Sequence, residues 1–246
     1  MLLTAPPVTQ LTKHNSPSTT HQAQLTKHNS PSTKHKAQST KHLAQSTKHL
    51  AQSTKHLAFP MPYTLHLSLA EYDAMVLRGA FDMLDRKVEL FRGKLVEMNP
   101  AGPLHDYLIT YLTNWSVRSC DPSQTWITSQ TGLDLPDQVS RPEPDLMWLR
   151  KANYRRAHPQ AGDVQLAIEV AYSSLGYDLE EKRRLYAEAK IQEYWIVDAS
   201  ANCIHVFTEP DDGDYMARRV YQPSEALAPK SAPQAFLDLD ELFDSN

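Results

Sequence analysis

Histidine returns at every seventh position from His14 through His21, His28, His35, His42 and His49 to His56. Around it, the decapeptide Gln10–Thr19 recurs as Gln24–Thr33, and Ala-Gln-Ser-Thr-Lys-His starts at Ala37, Ala44 and Ala51. A period of seven suggests a coiled coil, but each unit offers at most an adjacent Leu-Ala pair, not apolar residues three and four apart. Ser and Thr in every unit also weaken a helix. With no apolar face to bury, the segment cannot offset the entropy of being ordered. Residues 1–58 are therefore expected to be a disordered low-complexity tail, which confines the folded domain to residues 59–246. Histidines in such a chain form no preset metal site. A seven-nucleotide DNA repeat, translated through, returns to frame every seven codons and gives such an array. A natural start near Phe59 or Met61 follows from that reading.

The tail carries seven lysines and no Arg, Asp or Glu, so its formal charge is +7 while the whole chain is −4. Residues 59–246 therefore sum to −11, and an acidic domain does not hold nucleic acid by bulk charge. Any action on nucleic acid needs a local patch or bound metal ions. No run of 18 apolar residues exists and no secretory signal is visible, so no membrane partner is expected. Two cysteines, Cys120 and Cys203, are too few for a disulfide framework and lack the spacing of a zinc site, which suits a cytoplasmic protein.

Beyond Phe59 the pattern is that of an α/β domain. Ser68-Leu-Ala-Glu71 is a capping box opening a short helix to about Leu77. Val88-Glu-Leu-Phe and Lys94-Leu-Val-Glu-Met flank Arg92-Gly93, a hairpin signal. Leu108, Leu112 and Trp115 give one face to a helix from His105 to about Arg118. Short strands are expected at Trp126–Ser129, Leu133–Leu135 and Asp145–Leu149, and a buried one at Val164–Val170. A charged helix from a cap at Asp178 to Ala189, strands at Tyr194–Val197 and Cys203–Phe207, and a packing segment at Phe236–Phe243 complete the order. These elements suggest a sandwich around a mixed β-sheet.

Within this frame, Asp145 stands at the mouth of one apolar strand and Glu169 lies inside the next, among Leu166, Ile168 and Val170. A charge in a buried strand is costly unless it is paired or bound to metal. Two carboxylates on neighbouring strands can converge on one Mg²⁺ or Mn²⁺ ion, which would activate water against a phosphodiester. The spacing equally fits a turn cap at Asp145 after Pro144 and an arginine partner for Glu169. Asp178, Lys182 and Tyr186 follow at intervals of four on one helix face. Lys182 could reach the same cleft as a transition-state cation, with Asp178 and Tyr186 as further candidates for the cleft, or it could form a solvated pair with Asp178.

Several separated stretches resemble the Uma2 family, also called DUF820. They are Val88–Pro100, His105, Pro142-Glu-Pro-Asp-Leu146, Ala167-Ile-Glu-Val-Ala171, Ser173–Asp178, Lys182, Leu185-Tyr-Ala187 and Glu193-Tyr-Trp-Ile-Val-Asp198. The likeness covers roughly Leu67 to Phe243 and none of residues 1–58. It implies a restriction-endonuclease-like α/β core, a mixed sheet flanked by helices, within the PD-(D/E)XK superfamily. By position it implies that Asp145 and Glu169 are the metal-binding acidic pair. The superfamily's lysine usually stands two residues after the acidic residue, where this chain has Ala171. Lys182 is similar to the migrated lysines found elsewhere in the superfamily. Glu89, Glu97 and His105 match recurrent positions expected to line the cleft, with Glu97 as a candidate third carboxylate. Tyr172 departs from the small polar or acidic residue of many relatives.

The expectation is a Mg²⁺- or Mn²⁺-dependent DNA endonuclease or nickase with Asp145, Glu169 and Lys182 as its catalytic residues; the sequence leaves the oligomeric state open, and a homodimer would suit double-strand cutting. The alternatives are a catalytically weak nucleic-acid-binding or mobile-element accessory protein, and an inactive remnant.

Overall fold

The computed structural model describes residues 64–243. The tail expected over residues 1–58 lies outside them. Within the described residues, Ser68 caps the first helix, α1 (Leu69–Leu77), by accepting from the Glu71 N–H while Glu71 reaches back to the Ser68 backbone. A hairpin follows, β1 (Val88–Phe91) and β2 (Lys94–Glu97). Its two-residue turn places Arg92 at φ 49° and Gly93 at φ 74°, the double left-handed geometry that matches strand twist. Next comes α2 (Pro103–Ser119), with Pro103 in the first turn, where a missing N–H costs nothing.

The body is a six-stranded sheet in simple sequence order: β3 (Thr125–Thr128), β4 (Leu146–Arg150), β5 (Val164–Ala171), β6 (Glu193–Asp198), β7 (Cys203–Asp211) and β8 (Asp214–Tyr221). Only β5 and β6 are parallel. The crossover between them is a continuous helical segment, α3, made of Leu175–Tyr177, the π-helical stretch Asp178–Lys182, and Arg183–Glu188. A short α4 (Leu239–Leu242) closes the description.

Side-chain alternation divides β5 between two cores. Leu166, Ile168 and Val170 pack with Leu112 and Trp115 of α2 and with the C-terminal segment around Leu237. Ala167 and Ala171 face the other way, beneath Leu185 and Tyr186 of α3. Helices on both faces bury the sheet, which is why β5 reads as an unbroken apolar run interrupted by one carboxylate.

Three expectations are corrected. Leu133–Leu135 is not a strand, because its N–H groups bond alternately to two segments, Ser140–Pro142 and Pro159, in isolated bridges before Pro136 starts a 3₁₀ turn. Asp178 is not a cap, since the helix begins at Leu175 and Asp178 lies within it. A sixth strand, β8, follows a turn at Asp212-Gly213, both at positive φ.

Candidate active site

Asp145 ends the loop before β4 and Glu169 lies in β5. The register Leu146↔Ile168 and Met147↔Ala167 sets them opposite one another, on the sheet face that α3 covers. Both are buried. They open into a cleft of about 940 Å³ whose walls include Glu89, His105, Glu143, Tyr177, Asp178 and Lys182.

Each carboxylate is held by a distinct set of donors. The Val170 N–H donates to Asp145 Oδ2 at 2.8 Å, and His105 Nε2 lies 3.3 Å from the same oxygen. Burial works against the charge of Asp145, but the bonds from His105 and Val170 outweigh it and keep the carboxyl below its ordinary range. That same bond raises the His105 imidazole in spite of burial. Glu169 Oε1 accepts from Lys182 Nζ at 2.8 Å and from Tyr186 Oη at 2.8 Å. Burial pushes Glu169 up to about 8 against the pull of the Lys182 ammonium. Lys182 itself stays charged, because Glu169 and then Glu89 outweigh its own desolvation.

Lys182 is thus not a solvated partner of Asp178; its side chain is 5% exposed and its bond goes to Glu169. The π-helical turn accounts for this. It lies against the sheet, and Asp178 and Lys182, four apart on one helix face, are both buried in it. Asp178 Oδ2 accepts from Ser174 at 2.6 Å, and burial raises its carboxyl against the pull of Lys182 and Ser174. Tyr186 packs beneath, behind the cleft wall.

Glu89, on the hairpin, approaches Lys182 to 4.0 Å, while its Oε2 is buried without a hydrogen bond. Glu97, read as a third carboxylate, instead sits at the rim. It is 58% exposed and bound to Arg86 at 2.8 Å, because β2 is the outer strand of the hairpin. Two residues not singled out by sequence also line the cleft: Lys87 Nζ lies 3.0 Å from Glu143 and 3.7 Å from Glu89. The signal was alternation, since Lys87 stands two residues before Glu89, and Glu143 two before Asp145.

Elsewhere, among the described residues, Asp198, Cys203 and His205 bring ligand-type atoms within 4.8 Å of one another. Arg218 Nη2 lies 2.9 Å from His205 Nδ1. A guanidinium only donates, so Nδ1 accepts and the ring proton sits on Nε2, the nitrogen facing Asp198 and Cys203. Burial and then Arg218 keep this ring neutral. The trio is a self-satisfied polar cluster with a fixed cation beside it, a poor seat for a metal ion.

The family model of Uma2, described as "Putative restriction endonuclease", matches residues 69–240. Among solved structures, the fold is similar to one described as a "putative nuclease belonging to DUF820" from Anabaena variabilis ATCC 29413. The TM-score is 0.57 at 13% identity, over 72% of this chain and 98% of that one, a likeness of fold. No curated protein matches the sequence. Among the described residues, no helix is long and apolar enough to cross a membrane.

Proposed function

The chain belongs to the Uma2 family of restriction-endonuclease-like proteins, and from that premise we propose that it is a divalent-cation-dependent endonuclease hydrolysing phosphodiester bonds of DNA. One observation carries the reading: Asp145, Glu169, Glu89 and Asp178 are all buried around a single lysine. With Lys87, Glu143 and a charged His105 counted as well, five carboxyl groups face three cations, and burial holds Glu89, Glu169 and Asp178 above their ordinary values.

A divalent ion fits that deficit. Its donor set is oxygen, which suits Mg²⁺ or Mn²⁺, and Asp145 and Glu169 would hold it. When bound, such an ion lowers the pKa of water and polarises the phosphoryl oxygen. The remaining work falls to the chain. Val170 and His105 fix the Asp145 carboxylate, and Tyr186 fixes Glu169 through its hydroxyl. Lys182 brings a preorganised positive charge to the place where a phosphodiester gains negative charge in the transition state. Cutting both strands would take two such clefts, hence two copies of the chain.

Plasmid cleavage tests this. In Mg²⁺ or Mn²⁺, Lys182→Ala should slow cutting on the order of 10²–10³-fold, the usual effect of removing one preorganised electrostatic group, while Asp145→Ala abolishes it. An unchanged rate for Lys182→Ala at saturating Mg²⁺ removes Lys182 from the site. The acidic balance of residues 59–246 favours a second reading, a DNA-binding accessory protein. DNA binding without cleavage in either ion would support it.

A further inference from the structure

We propose that the loop Arg150–His158, with the adjoining edge of β3, is a landing surface for the phosphate backbone of a DNA duplex, beside the cleft. The inference rests on the nuclease reading and adds the surface by which an acidic domain holds its substrate.

From Leu146 to Gly162 the chain carries Arg150, Lys151, Arg155, Arg156 and His158 but no Asp or Glu. All four cations are exposed. Among the described residues none of them pairs with a carboxylate, whereas Arg92 and Arg183 are each held by one and Arg141 by two. Of the two acidic residues that bound this stretch, Asp145 is held in the cleft by the Val170 N–H at 2.8 Å and Asp163 is occupied by the Gln160 N–H at 2.9 Å.

The loop is also shaped. Lys151 N–H donates to the Gln124 carbonyl at 2.8 Å. Tyr154 Oη donates to the Arg150 carbonyl at 2.7 Å, and the Asn153 carboxamide accepts from the Arg155 N–H at 3.1 Å. These bonds hold the backbone, Arg150 Nε donates to the Gly162 carbonyl at 3.2 Å, and Arg155 and Arg156 stand exposed, with guanidinium groups well matched to phosphate oxygens.

Lys151 lies over the ring of Trp126, 4.2 Å from its centroid. One face of that exposed indole is therefore covered. With that face taken by a cation and no second exposed aromatic in the loop, the surface favours a duplex, read by its backbone, over a run of unstacked bases.

Its distance from the cleft fits as well. Asp145 and Arg150 stand at opposite ends of β4. Five residues at roughly 3.3 Å each span about 17 Å, and a duplex advances about 3.4 Å per base pair. A phosphodiester seated in the cleft would therefore leave the loop about five base pairs along the same duplex.

The test is fluorescence anisotropy on the full chain with a labelled DNA duplex, in EDTA so that no cutting intervenes, across a range of salt. Each lost phosphate contact lowers the salt slope of binding by about 0.9. Arg155→Ala with Arg156→Ala should therefore lower it by about two and weaken binding at low salt by roughly tenfold or more. The melting temperature should not move, because both side chains are exposed and unpaired. The control pair Lys94→Ala with Arg118→Ala, exposed cations elsewhere, should leave the slope alone. Equal slopes for wild type and the Arg155/Arg156 variant overturn the surface but leave the nuclease reading standing. No binding by the wild type overturns both. Loop-dependent binding without Mg²⁺-dependent cutting supports the surface and sinks the catalytic reading. A loop-dependent preference for duplex RNA overturns the choice of DNA.

Discussion

Like charges directly opposite on neighbouring strands repel, and Asp145 and Glu169 stand in that relation. The conflict is settled unequally. Asp145 is stabilised as an anion by a backbone N–H and an imidazole, whereas Glu169, with a lysine and a tyrosine for partners, is raised to about 8 by burial. The sign of the pH effect follows. In the fold Glu169 keeps its proton above the pH at which the unfolded chain loses it. Its contribution to stability is therefore full below the unfolded value and disappears as pH rises through about 8. In EDTA, the stability of the wild type relative to Glu169→Gln should fall between about pH 5 and pH 8, read by denaturant unfolding at each pH. A constant difference would mean that Glu169 is ionised throughout and that Lys182 fully compensates it.

At the scale of elements, the β1–β2 hairpin delivers Glu89, and its turn depends on Gly93. With φ at +74°, a Cβ there would lie 3.2 Å from the Leu67 carbonyl and 3.2 Å from the His66 ring. Gly93→Ala should cost about 1–2 kcal/mol for the left-handed backbone alone, measured by urea unfolding; a cost near zero would show that the turn rearranges freely. That hairpin was legible in the sequence because Arg92-Gly93 stands between two apolar runs. The Ser68 cap, α2 and β5 were legible for similarly local reasons. β8 was missed although Asp212-Gly213 is a hairpin turn, because Arg218 and Arg219 broke the apolar count of a strand that lies at the sheet edge. The π-helical turn left no mark in a four-residue spacing, and Asp178 reads from sequence both as a cap and as a cleft residue; it lies inside the helix, in the wall of the cleft. Of the site, Asp145, Glu169 and Lys182 stood out as charges in or beside apolar elements. Lys87 and Glu143 did not, because their contact joins segments more than fifty residues apart.

At the scale of the whole chain, a +7 segment and a −11 remainder share one sequence. The acidic side of that balance is densest, in buried form, at the cleft, where four carboxylates surround Lys182. An ion that binds the folded chain and not the unfolded one stabilises it by mass action, about 2.7 kcal/mol at a hundred times its dissociation constant. For a domain of this size that is a rise of roughly 5–11 °C in melting temperature, at about 2–4 °C per kcal/mol. Mg²⁺ prefers oxygen donors, so the seven histidines of residues 1–58 do not compete for it. Asp145→Asn is the informative variant, because a carboxamide oxygen can still accept the Val170 N–H while the charge is gone. The expected result is a Mg²⁺-dependent rise in the wild type and none in Asp145→Asn. An equal rise in both would place the ion elsewhere on the chain. No rise in the wild type would leave Lys182, His105 and Lys87 to balance the carboxylates of the cleft, and would take the divalent ion out of the proposed chemistry.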